Sequence, residues 1–144
     1  MISPIGGGPP RRPGTFDLLG FTHFWGKSRA GKWTVKRSTA KDRFRRALAQ
    51  IAAWCRWHRH DDLRVQQLAL ASKLKGHYGY FGITGNSRAL SYFWHEVKGA
   101  WRTWLNRRSQ NAGMTWERMH RLLERYPLPP PRIVHSALAR AANP

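Results

Sequence analysis

Acidic side chains are scarce in this sequence. Asp and Glu number 7 against 26 Lys and Arg, which gives a formal net charge of +19 at pH 7. Two-metal phosphoryl transfer needs carboxylates clustered at a strand end or turn, and the only adjacent acids are Asp61 and Asp62, at a predicted helix start. The sequence also lacks a G-x-x-x-x-G-K-[ST] phosphate loop and a G-x-S-x-G nucleophile motif. The sequence therefore gives little support for a catalytic centre.

Cysteine and long apolar runs are scarce as well. The single Cys55 excludes a disulfide framework or a cysteine-based zinc site within this chain, and a small buried side chain is the simplest interpretation. No apolar run approaches the roughly 20 residues of a membrane-spanning helix. Glycines and prolines occupy the N-terminus where a signal peptide would carry an apolar stretch. We therefore expect a cytoplasmic protein.

The short cluster His58, His60, Asp61 and Asp62 is the one candidate metal site in the sequence. The ligand types suit a metal, but no further ligand is spaced to complete the site. Helix-cap and ion-pair roles explain these aspartates more simply. We predict no metal, no cofactor and no catalytic residue in this chain.

The pattern predicts a mainly α fold, in which a short N-terminal β-hairpin precedes about four helices. We divide the chain into a Gly/Pro-rich disordered leader (residues 1–14), a β-hairpin (15–37), a helical domain (38–110), a C-terminal helix with a proline-rich extension (111–136) and a flexible tail (137–144). The stretch FDLLGFTHFW is expected to form the first strand of the hairpin.

Helical periodicity predicts which side chains are buried. A capping-box-like run from Thr39 to Asp42 is expected to open the first helix, and Asn86 or Ser87 and then Thr115 to cap later ones. The expected apolar positions are Phe44, Ala47, Leu48, Ile51, Trp54 and Cys55, then Leu63, Leu68, Leu70, Ala71 and Leu74, then Leu90, Phe93, Val97, Trp101, Trp104 and Leu105, and finally Trp116, Met119, Leu122, Leu123 and Tyr126.

Glycines at 76, 79 and 82 interrupt a run of aromatic residues after the second helix. Three glycines in a helix would cost about 3 kcal/mol relative to alanine, so we interpret them as sites of close approach by a backbone or a ligand. Tyr78 and Tyr80 lie about 160° to 200° apart on an ideal helix, so they cannot both face inward. Either one could contact RNA or join the core.

Basic and aromatic residues occur together on every predicted element. An excess of cations beside exposed rings is typical of proteins that bind irregular RNA, although the rings could instead be core and the cations merely solubilising. The predicted RNA-binding residues are Lys36, Arg37, Lys41, Arg45, Arg46, Lys73, Lys75, His77, Tyr78, Arg88, Arg102, Arg107 and Arg108.

Four sequence blocks carry a family resemblance: FDLLGFTHFW, LKGHYGYFGITGNSRAL, WRTWLNRRSQ and MTWERMHRLLERYPLPPPRI. Together they resemble the C-terminal part of bacterial group II intron reverse transcriptase/maturases, over about residues 14–136. The resemblance implies the end of the palm, the thumb and the maturase-specific domain X. It also implies binding to group II intron RNA with assistance in splicing, and contact with an RNA/DNA template–primer duplex.

The departures from that family define three alternatives. The Tyr-Ala-Asp-Asp-type turn, the fingers and most of the palm have no counterpart here, so no polymerase activity is expected from the chain alone. We expect a truncated or split intron protein. It is either an RNA-binding maturase domain, the thumb of a split RNA-directed DNA polymerase whose palm is a separate polypeptide, or an inert remnant.

Overall fold

Three strands precede four helices in the computed structural model, which describes residues 14–109 and 113–135. The strands are β1 Thr15–Leu18, β2 Phe21–Lys27 and β3 Trp33–Thr39, and the helices are α1 Lys41–Trp57, α2 Leu63–Phe81, α3 Ser87–Asn106 and α4 Trp116–Arg125. The prediction of a mainly α fold behind an N-terminal antiparallel element is confirmed at this level. The predicted tail, and the predicted leader apart from Gly14, lie outside the described residues.

The predicted first strand is in fact two strands. Leu19 and Gly20 both have positive φ, 55° and 86°, which is the backbone of a two-residue type I′ hairpin turn. They fold β1 back on β2, so the sheet is a three-stranded antiparallel meander rather than a hairpin. The sequence concealed this turn because leucine rarely adopts a left-handed conformation.

Helices α1 and α3 run in the same direction, and α2 runs antiparallel to both. Near their first turns, Phe44 of α1 meets Phe93 of α3 with ring centroids 5.4 Å apart. Near the other end of α3, Trp101 bonds to Gln66 in the first turn of α2. Near the end of α2, His77 stacks on Phe93 with centroids 3.7 Å apart. One core therefore runs through all three helices, and Met119 of α4 and Leu128 join it.

The predicted apolar stripes are confirmed in most positions. Each helix contributes buried residues from its predicted face, namely Ile51 and Cys55, Leu70 and Leu74, Leu90, Phe93, Val97, Trp101 and Leu105, and Met119. Two predictions were wrong, since Leu68 is 54% exposed and Trp116 is 43% exposed. Gln66, a polar residue outside the predicted stripe, is also fully buried on the α2 core face.

Asn86 joins the sheet to the helices. Its side-chain oxygen accepts a hydrogen bond from the Thr39 backbone N–H at 2.9 Å, and its amide donates to Thr39 Oγ1 and to the Phe81 carbonyl, each at 2.8 Å. Neither residue uses its side chain to cap a helix, so the capping-box prediction was wrong. Thr115 does cap α4, because its hydroxyl accepts from the Arg118 backbone N–H.

An extended segment follows α4 and crosses α2 and α3. Tyr78 donates its hydroxyl to the Pro129 carbonyl at 2.8 Å, and Trp94 donates its indole N–H to Leu128 at 3.3 Å. Farther along, the backbone N–H groups of Val134 and His135 donate to the Gly82 carbonyl. Residues 127–135 form no helix, in agreement with the prediction of extended proline-rich backbone.

The three glycines of the 76–82 stretch differ in their surroundings. At Gly82, a Cβ atom would lie against the Tyr78 carbonyl oxygen and only 2.9 Å from the Arg132 carbonyl oxygen, so the predicted close approach is confirmed there. At Gly76 and Gly79, which lie inside α2, a Cβ atom would have no neighbour within 4 Å. Close packing within this chain therefore explains only one of the three.

Replacing Gly82 by alanine is expected to lower the free energy of unfolding by about 2–3 kcal/mol, because both contacting atoms belong to the backbone and cannot swing aside. Replacing Gly76 by alanine is the matched control. It should stabilise the protein by up to about 1 kcal/mol, since alanine is a better helix former and the space is empty. Urea denaturation of the two variants measures both values, and equal effects would contradict the assignment.

Candidate nucleic-acid interface

Most cations in the described residues have no carboxylate beside them. The only Lys or Arg paired with an acid in residues 14–109 and 113–135 is Arg121, whose guanidinium lies 2.8 Å from Glu117. The other ion pair joins His58 to Asp61. The excess positive charge is therefore available to an external anion rather than consumed by internal pairs.

The groove between α1 and α3 brings two of these cations, Lys41 and Arg45, beside apolar side chains. It encloses about 610 Å³ and is lined by Phe44, Leu48 and Tyr92, with Lys41 and Arg45 at its edge. Tyr92 is 58% exposed and its ring stacks on Phe44 at 5.3 Å. A hydrogen bond with Glu96, the one acid lining this groove, raises the pKa of Tyr92.

The same side of the two helices continues to a layered cluster at their C-terminal ends. Arg56 follows the groove residue Ala52 by four positions, so it lies on the same side of α1. Its guanidinium lies 5.6 Å from the ring of Trp104 and 5.8 Å from that of Trp57, and Arg107 approaches Trp104 at 5.2 Å. We call this surface the α1–α3 face. Trp57 lies about 100° from Arg56 around α1 and joins the surface through its contact with Arg56. The members of the face are Lys41, Phe44, Arg45, Leu48, Arg56, Trp57, Tyr92, Trp104 and Arg107.

Trp57 is the least expected member of the α1–α3 face. It is 78% exposed, more than any other large apolar side chain described. An exposed indole held beside arginines can stack on an unpaired base while the arginines neutralise neighbouring phosphates. Arg56, Trp57 and Trp104 were missing from the predicted site. The signal for Trp57 was available, because it falls outside the spacing of the α1 apolar stripe.

The predicted cations are exposed at seven positions. Lys41, Arg45 and Arg107 belong to the α1–α3 face, while Arg46, Lys73, Lys75 and Arg88 lie elsewhere on the helices. Lys73 lies 5.6 Å from the Trp54 ring. These residues therefore do not form one contiguous patch.

Two predicted RNA-binding residues pack inside the fold, Tyr78 fully and His77 partly. Tyr78 is only 2% exposed and its hydroxyl is committed to Pro129, and burial raises its pKa. His77 is stacked on Phe93, and burial lowers its pKa to about 4. The Tyr78 ring is therefore not accessible to a base. The His77 ring is covered on one face by Phe93 and is partly buried, and RNA binding by His77 stays a prediction. Tyr80, by contrast, is 55% exposed.

Four more predicted residues have local structural roles or diverging positions. Arg102 donates to the Met114 carbonyl at 3.0 Å and lies over the Trp116 ring at 4.9 Å, and Arg108 donates to the Asp61 carbonyl at 3.4 Å. Lys36 and Arg37 are successive residues of β3, so their side chains lie on opposite faces of the sheet. The fold therefore does not bring these four side chains together on one surface.

Catalytic and metal-binding groups are not assembled in the described part of the chain. No three His, Cys, Asp or Glu side chains there are grouped to hold a metal ion. Asp61, a member of the candidate metal cluster, forms a hydrogen bond through its carboxylate with His58 Nδ1 at 2.8 Å. Cys55 is fully buried, and desolvation raises the pKa of its thiol to about 12. The thiol is therefore protonated and a poor nucleophile at neutral pH.

Within residues 14–109 and 113–135, none of the helices has the length and apolar character to cross a membrane. Comparison of the chain with protein families, with curated proteins and with solved structures found no match.

Proposed function

We propose that this chain is an RNA-binding domain that holds structured RNA on its α1–α3 face. The observation that supports the proposal is the conjunction of four cations without acidic partners along α1 and α3 with an indole that is 78% exposed and lies 5.8 Å from Arg56 at the end of α1. Cations alone would suit any polyanion. Exposed rings between them favour a ligand with unpaired bases.

The geometry of the face suits a nucleic-acid strand. Helix α1 has 17 residues and is therefore about 25 Å long, which is enough for several successive phosphates. Arg45 at one end and Arg56 near the other would contact phosphates, while Trp57 stacks on a base and the Phe44–Tyr92 pair offers a second apolar surface. Phosphate contacts position the strand, and stacking selects unpaired segments.

The family resemblance narrows the proposed ligand. A maturase-type domain would bind group II intron RNA, assist its folding and splicing, and contact the template–primer duplex of a reverse transcriptase. No acid cluster in the described residues offers polymerase chemistry, so in this proposal the chain binds RNA and does not catalyse. Intron RNA should therefore bind more tightly than an unstructured RNA of equal length.

The double substitution Arg45→Glu and Arg56→Glu is expected to weaken RNA binding about 100-fold, because two charge-assisted phosphate contacts become repulsive. The magnitude of the slope of log K against log salt should fall by roughly 2. Filter-binding titrations at several salt concentrations measure both quantities.

Trp57→Ala should weaken binding to RNA with unpaired loops by about tenfold, and binding to a simple polyanion such as heparin very little.

A control with the same change in net charge is available on α4. Arg121→Glu with Arg125→Glu removes two exposed arginines that lie outside the α1–α3 face, and the ion pair it breaks is exposed and contributes little stability. This variant should lose much less affinity. Equal losses in the two variants would show that only net charge matters and would contradict the proposed face.

A second function is favoured by one feature of the sheet. Register places Phe16, Leu18 and Val35 on the same face as Phe21, and these three are 46%, 53% and 49% exposed. His23 and Arg37 lie on this face as well, so the surface is mixed. Its exposed apolar side chains suit a protein partner, which fits the thumb of a split polymerase with a separate fingers/palm polypeptide. Primer extension that requires both polypeptides would support this function, and its absence would leave a remnant as the alternative.

A further inference from the structure

A second pocket lies away from the α1–α3 face, where the sheet meets α2 and the C-terminal segment. It encloses about 380 Å³, which is within the range of small-ligand sites. Its lining includes Arg37 and His23 from the sheet, Gly79 and Tyr80 from α2, and Leu19 from the β1–β2 turn. No Asp or Glu of the described residues lines it.

Two hydrogen-bond donors meet on the sheet side of the pocket. His23 and Arg37 are directly paired across β2 and β3, so their Cβ atoms lie about 5 Å apart. The His23 ring is stacked on Phe16 at 4.8 Å, and its Nδ1 is buried without a hydrogen-bond partner. This leaves Nε2 as the ring nitrogen that can hydrogen-bond to a ligand. An arginine fork beside an imidazole N–H suits a phosphate.

The other lining residues are apolar or aromatic apart from Gly79 and His135, whose Nε2 bonds to the Gly79 carbonyl at 3.1 Å. The Tyr80 ring stacks on Phe21 at 6.0 Å, and its hydroxyl donates to the Leu19 carbonyl at 2.7 Å, which fixes the ring at the pocket wall. Leu19 is held in its positive-φ turn on the same side. At Gly79, which also lines the pocket, a Cβ atom would have no neighbour within 4 Å, so the space beside this residue is open.

We propose that this pocket binds a single nucleotide, with its phosphate on Arg37 and His23 and its base against Tyr80 and Leu19. Donors on one side and a fixed ring on the other match the two halves of a nucleotide, whereas a free sugar or a simple anion would use only one half. The nucleotide is either a free mononucleotide or a phosphorylated end of an RNA strand. The pocket shares no residue with the α1–α3 face, so the two proposals fail independently.

The test measures binding of adenosine 5′-monophosphate, adenosine and inorganic phosphate to the full chain by calorimetry or by NMR titration. A dissociation constant of roughly 1 mM or tighter is expected for the nucleotide, with adenosine and phosphate each bound at least about tenfold more weakly. Arg37→Ala should weaken nucleotide binding by about tenfold or more, because a charge-assisted contact is lost. A short RNA with a 5′-phosphate, compared with its 5′-hydroxyl form, is the second arm.

Gly79→Leu fills the pocket without changing any charge, and it should abolish binding. Gly76→Leu is its matched control on the same helix, also facing open space, and should bind like the unmodified protein. Circular dichroism verifies that both fold. Binding of the phosphorylated RNA alone, with the same dependence on Arg37 and Gly79, would assign the site to an RNA end. Binding of neither probe, or equal losses in the Gly76 and Gly79 variants, would overturn the proposal.

Discussion

Replacing Asn86 by alanine is expected to lower the free energy of unfolding by about 3–5 kcal/mol, a large part of the total for a domain of this size. Asn86 is 1% exposed and makes three hydrogen bonds, two to Thr39 and one to the Phe81 carbonyl. Alanine would remove the partners of the Thr39 N–H and Thr39 Oγ1, and a buried group left unsatisfied costs about 1–3 kcal/mol. The Phe81 carbonyl would lose one of its two bonds and keep the one from the Ile83 N–H. Urea or thermal denaturation followed by circular dichroism measures the loss.

Ser87→Ala provides the control for Asn86. Ser87 is the next residue along the chain and is exposed, so its replacement should change stability by less than about 0.5 kcal/mol. Asn86→Asp is informative as well, because the carboxylate can still accept from Thr39 N–H but cannot donate to Phe81. It should therefore also be strongly destabilising. Stability of Asn86→Ala within 1 kcal/mol of the unmodified protein would contradict the role assigned to this residue.

Replacing Trp101 by alanine is expected to cost about 4–5 kcal/mol. The indole is fully buried between the helices, and its N–H donates to Gln66 Oε1 at 3.0 Å. Alanine would leave a cavity and would also leave the Gln66 oxygen unpaired. The Gln66 amide bonds to the Asp61 carbonyl at 2.8 Å, so the α1–α2 connection should loosen at the same time. Amide hydrogen exchange across residues 58–63 would detect this loosening.

Two other variants separate the contributions at Trp101. Trp101→Phe removes the N–H but keeps most of the ring volume, and it should cost about 1–3 kcal/mol. Trp57→Ala removes an equally large side chain from the surface, where it is 78% exposed, and should change stability by less than about 0.5 kcal/mol. A Trp101→Ala variant no less stable than Trp101→Phe would contradict the packing described here.

Periodicity predicted the helices because burial of an apolar stripe has a repeat that can be counted in the sequence. The faces of α1 and α3 were predicted almost residue by residue. The burial of Gln66 was not predicted, because a glutamine is normally expected at the surface. Only a hydrogen-bond partner from another helix, Trp101, makes its burial favourable. The turn at Leu19 and Gly20 was not predicted for a related reason. The positive φ of Leu19 is stabilised by contacts distant in sequence, such as the hydrogen bond from the Tyr80 hydroxyl to the Leu19 carbonyl.

For the candidate site, too, some features follow from the sequence and others only from the tertiary structure. Composition alone determined that this protein carries a large positive charge with few acids to neutralise it, because charge is a sum over residues and needs no geometry. Periodicity determined that helices follow a small sheet. Only the tertiary structure decided which rings face outward. Tyr78 is buried because the C-terminal segment covers it, and His77 is partly buried because it stacks on Phe93 of α3. Trp57, by contrast, is 78% exposed.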